Sequence, residues 1–231
     1  MSTYVAARIA VEAISAAACF ILVRFMIKPY RLTGESRYLG LPLGFIFLGL
    51  SYALATAIFS ITTSFNPDFE WLALLIKTFA FVFLAVTYYF SNRLTKNVIT
   101  WDITLGLLTV ALFTLLISLI IDPQSAMQAY FASQLYVRIF NVLCLTFIAI
   151  LTLRSHVKQP DPTTIWIPFG FILLGVSQYS LIFWYINNSL AAFTGSLAIR
   201  LMALAIFLFV AYQTFYRAGK GGSGDEDSSE R

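Results

Sequence analysis

Long apolar runs, broken at intervals by short polar stretches, occupy the chain from its start to about residue 216. A helix needs about 20 apolar residues to cross the roughly 30 Å hydrocarbon core of a bilayer. Seven segments meet that need, near 5–27, 39–62, 70–91, 101–121, 127–153, 163–186 and 193–216. The breaks carry turn chemistry: Lys28-Pro29, Asn66-Pro67-Asp68, Asp122-Pro123, Gln159-Pro160-Asp161-Pro162 and Asn187-Asn188-Ser189. The runs are too long, and alternate too little, for barrel strands. The expected fold class is an all-α membrane protein with seven transmembrane helices.

Composition points the same way. The chain is 59% hydrophobic and 11% charged, against about 25% charged residues in a soluble domain. A chain of this size in water needs more polar surface than that, whereas lipid as the main solvent removes the requirement. Its 22 Phe and 12 Tyr suit a lipid-facing and interfacial surface. The net charge of +4 is spread along helix ends without a Lys/Arg run, so nucleic acid is not an expected partner. Cys19 and Cys144 lie in apolar segments and form neither a disulfide framework nor a metal spacing. The opening residues lack the basic n-region of a cleavable signal, so the first helix is expected to stay.

Charge also sets an expected orientation. Arg24, Lys28, Arg31 and Arg37 surround the first connection, Arg93 and Lys96 lie in the third, Arg154 and Lys158 in the fifth, and Arg217 and Lys220 follow the last helix. The second, fourth and sixth connections hold only acidic charges, Asp68, Glu70 and Asp122. Basic connections stay cytoplasmic, which places the N-terminus outside, the C-terminus inside and the chain in the cell membrane as a multi-pass protein. The stretch 219–231 is Gly/Ser-rich and then acidic, and is expected to be a disordered cytoplasmic tail.

An internal repeat organises the seven helices. Arg8-Ile9, Arg24 and Lys28 recur as Arg138-Ile139, Arg154 and Lys158, at a constant spacing of 130. Pro42-Leu43-Gly44-Phe45-Ile46 and Gly49-Leu50-Ser51 recur as Pro168-Phe169-Gly170-Phe171-Ile172 and Gly175-Val176-Ser177, at 126. Leu74, Ile76, Lys77, Ala80 and Tyr89 recur as Leu197, Ile199, Arg200, Ala203 and Tyr212, at 123. The spacing falls only between helices, as shorter loops in the second half would require. The expected organisation is a seven-helix domain over 1–218, made of a three-helix repeat in 4–91, a linker helix at 101–121 and a second three-helix repeat in 127–216. Four spans separate equivalent helices, so the repeats run parallel, related by an axis along the membrane normal. Parallel repeats of this kind occur in transporters, with the substrate near the midplane between them.

This three-plus-one-plus-three plan resembles that of SWEET-type sugar transporters, although their Pro-Gln motif is absent. Microbial rhodopsins are similar in helix count and orientation. Their retinal requires a lysine amine in the seventh helix, where this chain offers Arg200, whose guanidinium stays protonated and forms no Schiff base.

Charges inside apolar spans are costly and point to function. Glu12, Lys77, Arg138 and Arg200 are such residues, with Arg8 near an outer end. Arg8 to Arg24, Lys77 to Arg93 and Arg138 to Arg154 are each 16 residues apart, roughly 25 Å along a helix. With the second member of each pair at the cytoplasmic interface, the first falls in the outer leaflet. One reading is a ring of cations on pseudo-equivalent helices that holds an anionic ligand through bidentate arginine contacts, with Glu12 neutralising Arg8 four residues away or relaying a proton. The other reading is long side chains snorkelling to outer headgroups as anchors. Gln134, Asn141, Ser177, Gln178 and Tyr179 make the second half more polar than the first, and line a cavity or bond between helices.

The sequence shows no Gly-rich phosphate loop, nucleophile elbow or carboxylate pair, so no enzymatic activity is expected. His156 is the only histidine, which leaves no axial haem pair and no zinc site, and no cofactor is expected. The functional expectation is a small-molecule transporter or ligand-binding protein, with Glu12, Lys77, Arg138, Asn141, Gln178 and Arg200 as candidate site residues. Its partners would be the bilayer and an anionic small molecule. The alternatives are a non-catalytic subunit packed among other membrane subunits, and a seven-helix sensor without retinal.

Overall fold

The computed structural model describes residues 2–33, 39–61, 67–91, 98–121, 123–158, 160, 165–187 and 189–214. The tail at 219–231 lies outside them. Seven helices form: α1 (Ser2–Thr33), α2 (Gly40–Ile61), α3 (Pro67–Ser91), α4 (Val98–Ile121), α5 (Pro123–Lys158), α6 (Trp166–Asn187) and α7 (Leu190–Tyr212). Six of them, all but α4, are long and apolar enough to cross a membrane, as a multi-pass membrane protein requires. In α4 the apolar stretch found among the described residues is Ile103–Thr114.

Helix boundaries follow the expected turn chemistry with one exception. Proline opens α3 at Pro67 and α5 at Pro123, where its missing N–H has no intrahelical partner to lose. Ser189 caps α7 by accepting from the Ala192 N–H. However, α1 does not end at Lys28-Pro29 but runs on to Thr33, while α5 passes the end of its apolar span at 153 and stops at Lys158, directly before Gln159-Pro160. A proline removes one ladder bond, and the polar residues that follow continue both helices beyond the apolar span.

The helices that span are arranged as a closed ring. Going round it, α1 packs on α2, α2 on α3, α3 on α5, α5 on α6, α6 on α7 and α7 on α1. Helix α4 lies outside the ring against the flanks of α3 and α5, with Trp101 packed on Gly40 of α2, and turns Ile103, Leu107, Val110, Phe113 and Ile117 outward. Between helices in lipid there is no hydrophobic drive, so close packing and interhelical hydrogen bonds hold them. Two glycines show the closeness. A Cβ on Gly44 would stand 2.6 Å from Leu84 of α3, and one on Gly170 would stand 2.7 Å from the Phe207 ring of α7. Two buried serines bond across the same helix pairs: Ser51 donates to the Ala73 carbonyl (2.7 Å) and Ser177 to the Ser196 carbonyl (2.9 Å).

The interior is divided by depth. A continuous apolar core fills one end, with Leu22, Phe45, Leu48, Phe81, Leu84, Leu145, Ile148, Phe171, Leu174, Leu204 and Phe207 all buried. The aromatic members interlock, as in the tilted contact of Phe171 with Phe207 (4.8 Å) and the edge contact of Phe45 with Phe207 (5.7 Å). Towards the other end, two small apolar clusters occur among the described residues, Trp71 and Leu74 against Val137, and Leu181, Phe193 and Leu197 against Val11 and Trp184. Polar side chains lie between.

Candidate functional site

The polar residues gather on one level of the ring, and helix geometry brings them there. Glu12 is one turn below Arg8 on α1. Tyr52 is two turns back from Phe59 on α2, Lys77 two turns on from Glu70 on α3, and Arg200 two turns on from Phe193 on α7. Seven residues span about 10 Å, so the Arg8 layer lies about that far above the layer of Tyr52, Lys77 and Arg200.

The centre of the lower layer is an ion pair. Arg200 Nη1 donates to Glu12 Oε1 at 3.1 Å, and Nη2 lies 3.1 Å from the same oxygen. Both side chains are buried, 3% and 7% exposed. The Tyr52 ring is shared by two cations: the Arg200 guanidinium is 4.5 Å from its centroid and the Lys77 ammonium 4.8 Å. A ring face attracts a cation through its quadrupole, so Tyr52 lets two positive groups sit close together. Helices α2 and α7 are not ring neighbours, hence the Tyr52–Arg200 contact crosses the interior. Lys77 is within electrostatic reach of Glu12, Arg200, Arg138 and Arg8.

Asn141 and Gln178 complete the layer from α5 and α6. Leu145 Cβ would lie 3.8 Å from a Cβ at Gly175. One turn back on α5 and one turn on along α6 bring Asn141 and Gln178 to a common level. Both are fully buried, and none of their four amide atoms has a hydrogen-bond partner. Glu12 Oε2 and the Arg200 Nε and Nη2 are equally buried without hydrogen-bond partners. Buried polar groups are satisfied as a rule, so this concentration of unsatisfied donors and acceptors on one level stands out.

Above this layer, Arg8 Nη2 donates to Glu70 Oε1 at 3.1 Å. Its guanidinium lies 3.7 Å from the Phe59 centroid and 5.3 Å from that of Phe193. This pair is more open, with 23% and 14% side-chain exposure. It joins α1 to α3, which are not ring neighbours, and so bridges the end of the ring.

The candidate residues therefore stand as follows. Glu12, Asn141, Gln178 and Arg200 are buried in the ring, and Lys77 and Arg138 are partly buried. Glu12 does not pair with Arg8, as the four-residue spacing suggested; its partner is Arg200, because α7 packs beside α1 and Arg8 finds Glu70 instead. Ser177 is spent on helix packing, and Tyr179 faces outward. Two participants were not singled out by pattern, Tyr52 and Glu70. Tyr52 was findable, because it stands 126 residues before Gln178, the same spacing that separates Gly44 from Gly170. Glu70 was read as a loop charge, and only the fold brings it to Arg8.

Compared with known proteins, the chain matches no family model, no curated protein and no solved structure.

Proposed function

We propose that this protein binds a small anionic molecule at the polar layer and carries it across the membrane. The observation that supports this reading most is that each of the six ring helices contributes one inward polar residue to a single level: Glu12, Tyr52, Lys77, Asn141, Gln178 and Arg200. Two cations, Lys77 and Arg200, meet one carboxylate at the centre, which leaves the layer an excess positive charge to offer an anion. Anchors that snorkel to headgroups would point outward from the bundle; Arg200 is buried and Lys77 lies over an interior ring.

The route to the layer is set by its two neighbours in depth. On one side the continuous core of aromatic and aliphatic side chains is buried and interlocked. On the other stands the partly exposed Arg8–Glu70 pair. We read the accessible side as the Arg8 side and, from the basic connections, as the outer face of the membrane, with α4 as a seventh span. Cysteines placed at Ser64 and Ser189 are expected to react with an impermeant thiol reagent in intact cells, and one at Ser223 is not. Labelling at Ser223 would reverse the assignment.

The same reading takes the two helix triplets as parallel repeats. Exchanging α1, α2 and α3 with α5, α6 and α7 maps the ring of helix contacts onto itself. The Ser51–Ala73 and Ser177–Ser196 bonds sit at equivalent positions, as do the approaches of Gly44 to Leu84 and Gly170 to Phe207. A site on the axis between repeats is where alternating access of one half against the other would act.

The test is uptake and binding in proteoliposomes. A panel of radiolabelled carboxylates is expected to include one that the protein accumulates, with Lys77→Met and Arg200→Met reducing its binding at least tenfold while the proteins remain folded. Full retention of binding and uptake by both variants would reduce the cations to structural parts.

A further inference from the structure

Building on the ligand-site reading, we infer that the polar layer takes a zwitterion, a small molecule bearing both a carboxylate and a protonated amine, as an α-amino acid does. The inventory of unsatisfied groups carries this. Buried donors of the layer without hydrogen-bond partners are Arg200 Nε and Nη2 and the amide nitrogens of Asn141 and Gln178, and the Lys77 ammonium lies over the same Tyr52 ring as Arg200. Buried acceptors without partners are Glu12 Oε2 and the amide oxygens of Asn141 and Gln178.

A simple anion is an acceptor only. It would answer Lys77, Arg200 and the amide nitrogens, and would leave three acceptors, one of them an ionised oxygen, buried and unbonded. A simple amine would answer the acceptors and bring a second uncompensated positive charge beside Lys77 and Arg200. A zwitterion answers both sets and adds no net charge to the interior. Its carboxylate is directed to Lys77 and the two free nitrogens of Arg200, and its ammonium to Glu12 Oε2 and an amide oxygen. Glu12 Oε1 is already engaged by Arg200, so one carboxylate both holds the cation and faces the ligand.

Matched probes separate this from the broader reading. Leucine, its deaminated acid 4-methylpentanoate and its decarboxylated amine 3-methylbutylamine share one apolar body, as do phenylalanine with 3-phenylpropanoate and phenethylamine, and glycine with acetate and methylamine. Binding to the purified full chain is measured by equilibrium dialysis and by the rise in unfolding temperature. In at least one set the zwitterion is expected to bind about tenfold or more tightly than its acid, the scale of leaving a buried polar group unpaired, and tighter still than its amine. Glu12→Gln should bring zwitterion and acid to comparable affinity. The probe comparison on the unaltered chain does not depend on any variant folding. An acid that binds as well as its zwitterion in every set overturns this inference and leaves the anion-site reading standing. Binding of no probe at all overturns both.

Discussion

The two ends of the helix ring are closed by different chemistry. At one end Phe45, Leu48, Phe81, Leu84, Phe171, Leu174, Leu204 and Phe207 pack into a plug with no polar atom among their side chains. At the other, one arginine on α1 reaches a glutamate on α3 beneath two phenylalanine rings. The first closure is many small dispersion contacts, and opening it would separate all of them. The second is one partly exposed ion pair beside two small apolar clusters, around Trp71 and around Phe193, so opening it separates fewer contacts. The polar layer between them is thus bounded by one durable wall and one that yields at low cost. The comparison also explains why the buried pair Glu12–Arg200 and the outer pair Arg8–Glu70, one turn apart on α1, should differ in what they contribute.

Three substitutions test that contrast. The largest effect is expected at Arg200→Met, which leaves the Glu12 carboxylate buried without its partner. Breaking a buried pair on one side costs about 3–5 kcal/mol. The double variant Glu12→Gln/Arg200→Met, which removes both charges, should recover most of that loss. Equilibrium unfolding in bicelles measures both. A single variant as stable as its double would mean that the pair does not face the low-dielectric interior.

Next comes Phe171→Ala, at the centre of the plug. Phe to Ala in a core costs about 3–5 kcal/mol in water. Here the separated helices are solvated by lipid rather than water, which removes much of the transfer term, so the expected loss is near or below the low end of that range. The variant should in addition let an impermeant reagent from the far side reach a cysteine at Gln178. No change in that labelling would show that the plug is not what seals this end.

The smallest effect on stability is expected for Arg8→Met/Glu70→Gln. Partly exposed pairs contribute about 0.2–1 kcal/mol, and the ring contact to Phe59 adds about 0.5–1 kcal/mol at such sites. Stability should fall slightly, while labelling of the same cysteine from the Arg8 side should speed up several-fold. A loss of stability equal to that of Arg200→Met would mean that both ends are structural and that neither is a gate.

Much of the architecture was legible in the chain. Apolar run length gave the helices, because lipid imposes one length on every crossing, and proline and asparagine marked their ends. The long extensions of α1 and α5 were not legible, since polar helical turns outside the span carry no apolar signal. The candidate site was legible in part. Glu12, Lys77, Asn141, Gln178 and Arg200 stood out because charges and amides in apolar text are rare. Which of them meet was not, and the pairing drawn from α1 alone, Arg8 with Glu12, was wrong.

By itself, then, the sequence determined the helices, the depth at which each polar residue lies along its own helix, and a matched pattern of residues in two halves. Those are one-dimensional properties, set by composition and spacing at about 1.5 Å per residue. The closed order of helices round the ring, the crossing of Tyr52 to Arg200, the transfer of Glu12 from Arg8 to Arg200 and of Arg8 to Glu70, and the apolar plug beneath them were decided only by the tertiary structure. Each depends on which helix stands beside which and on the rotation of each about its axis. Spacing along one chain does not hold that information, because the partners are up to 188 residues apart.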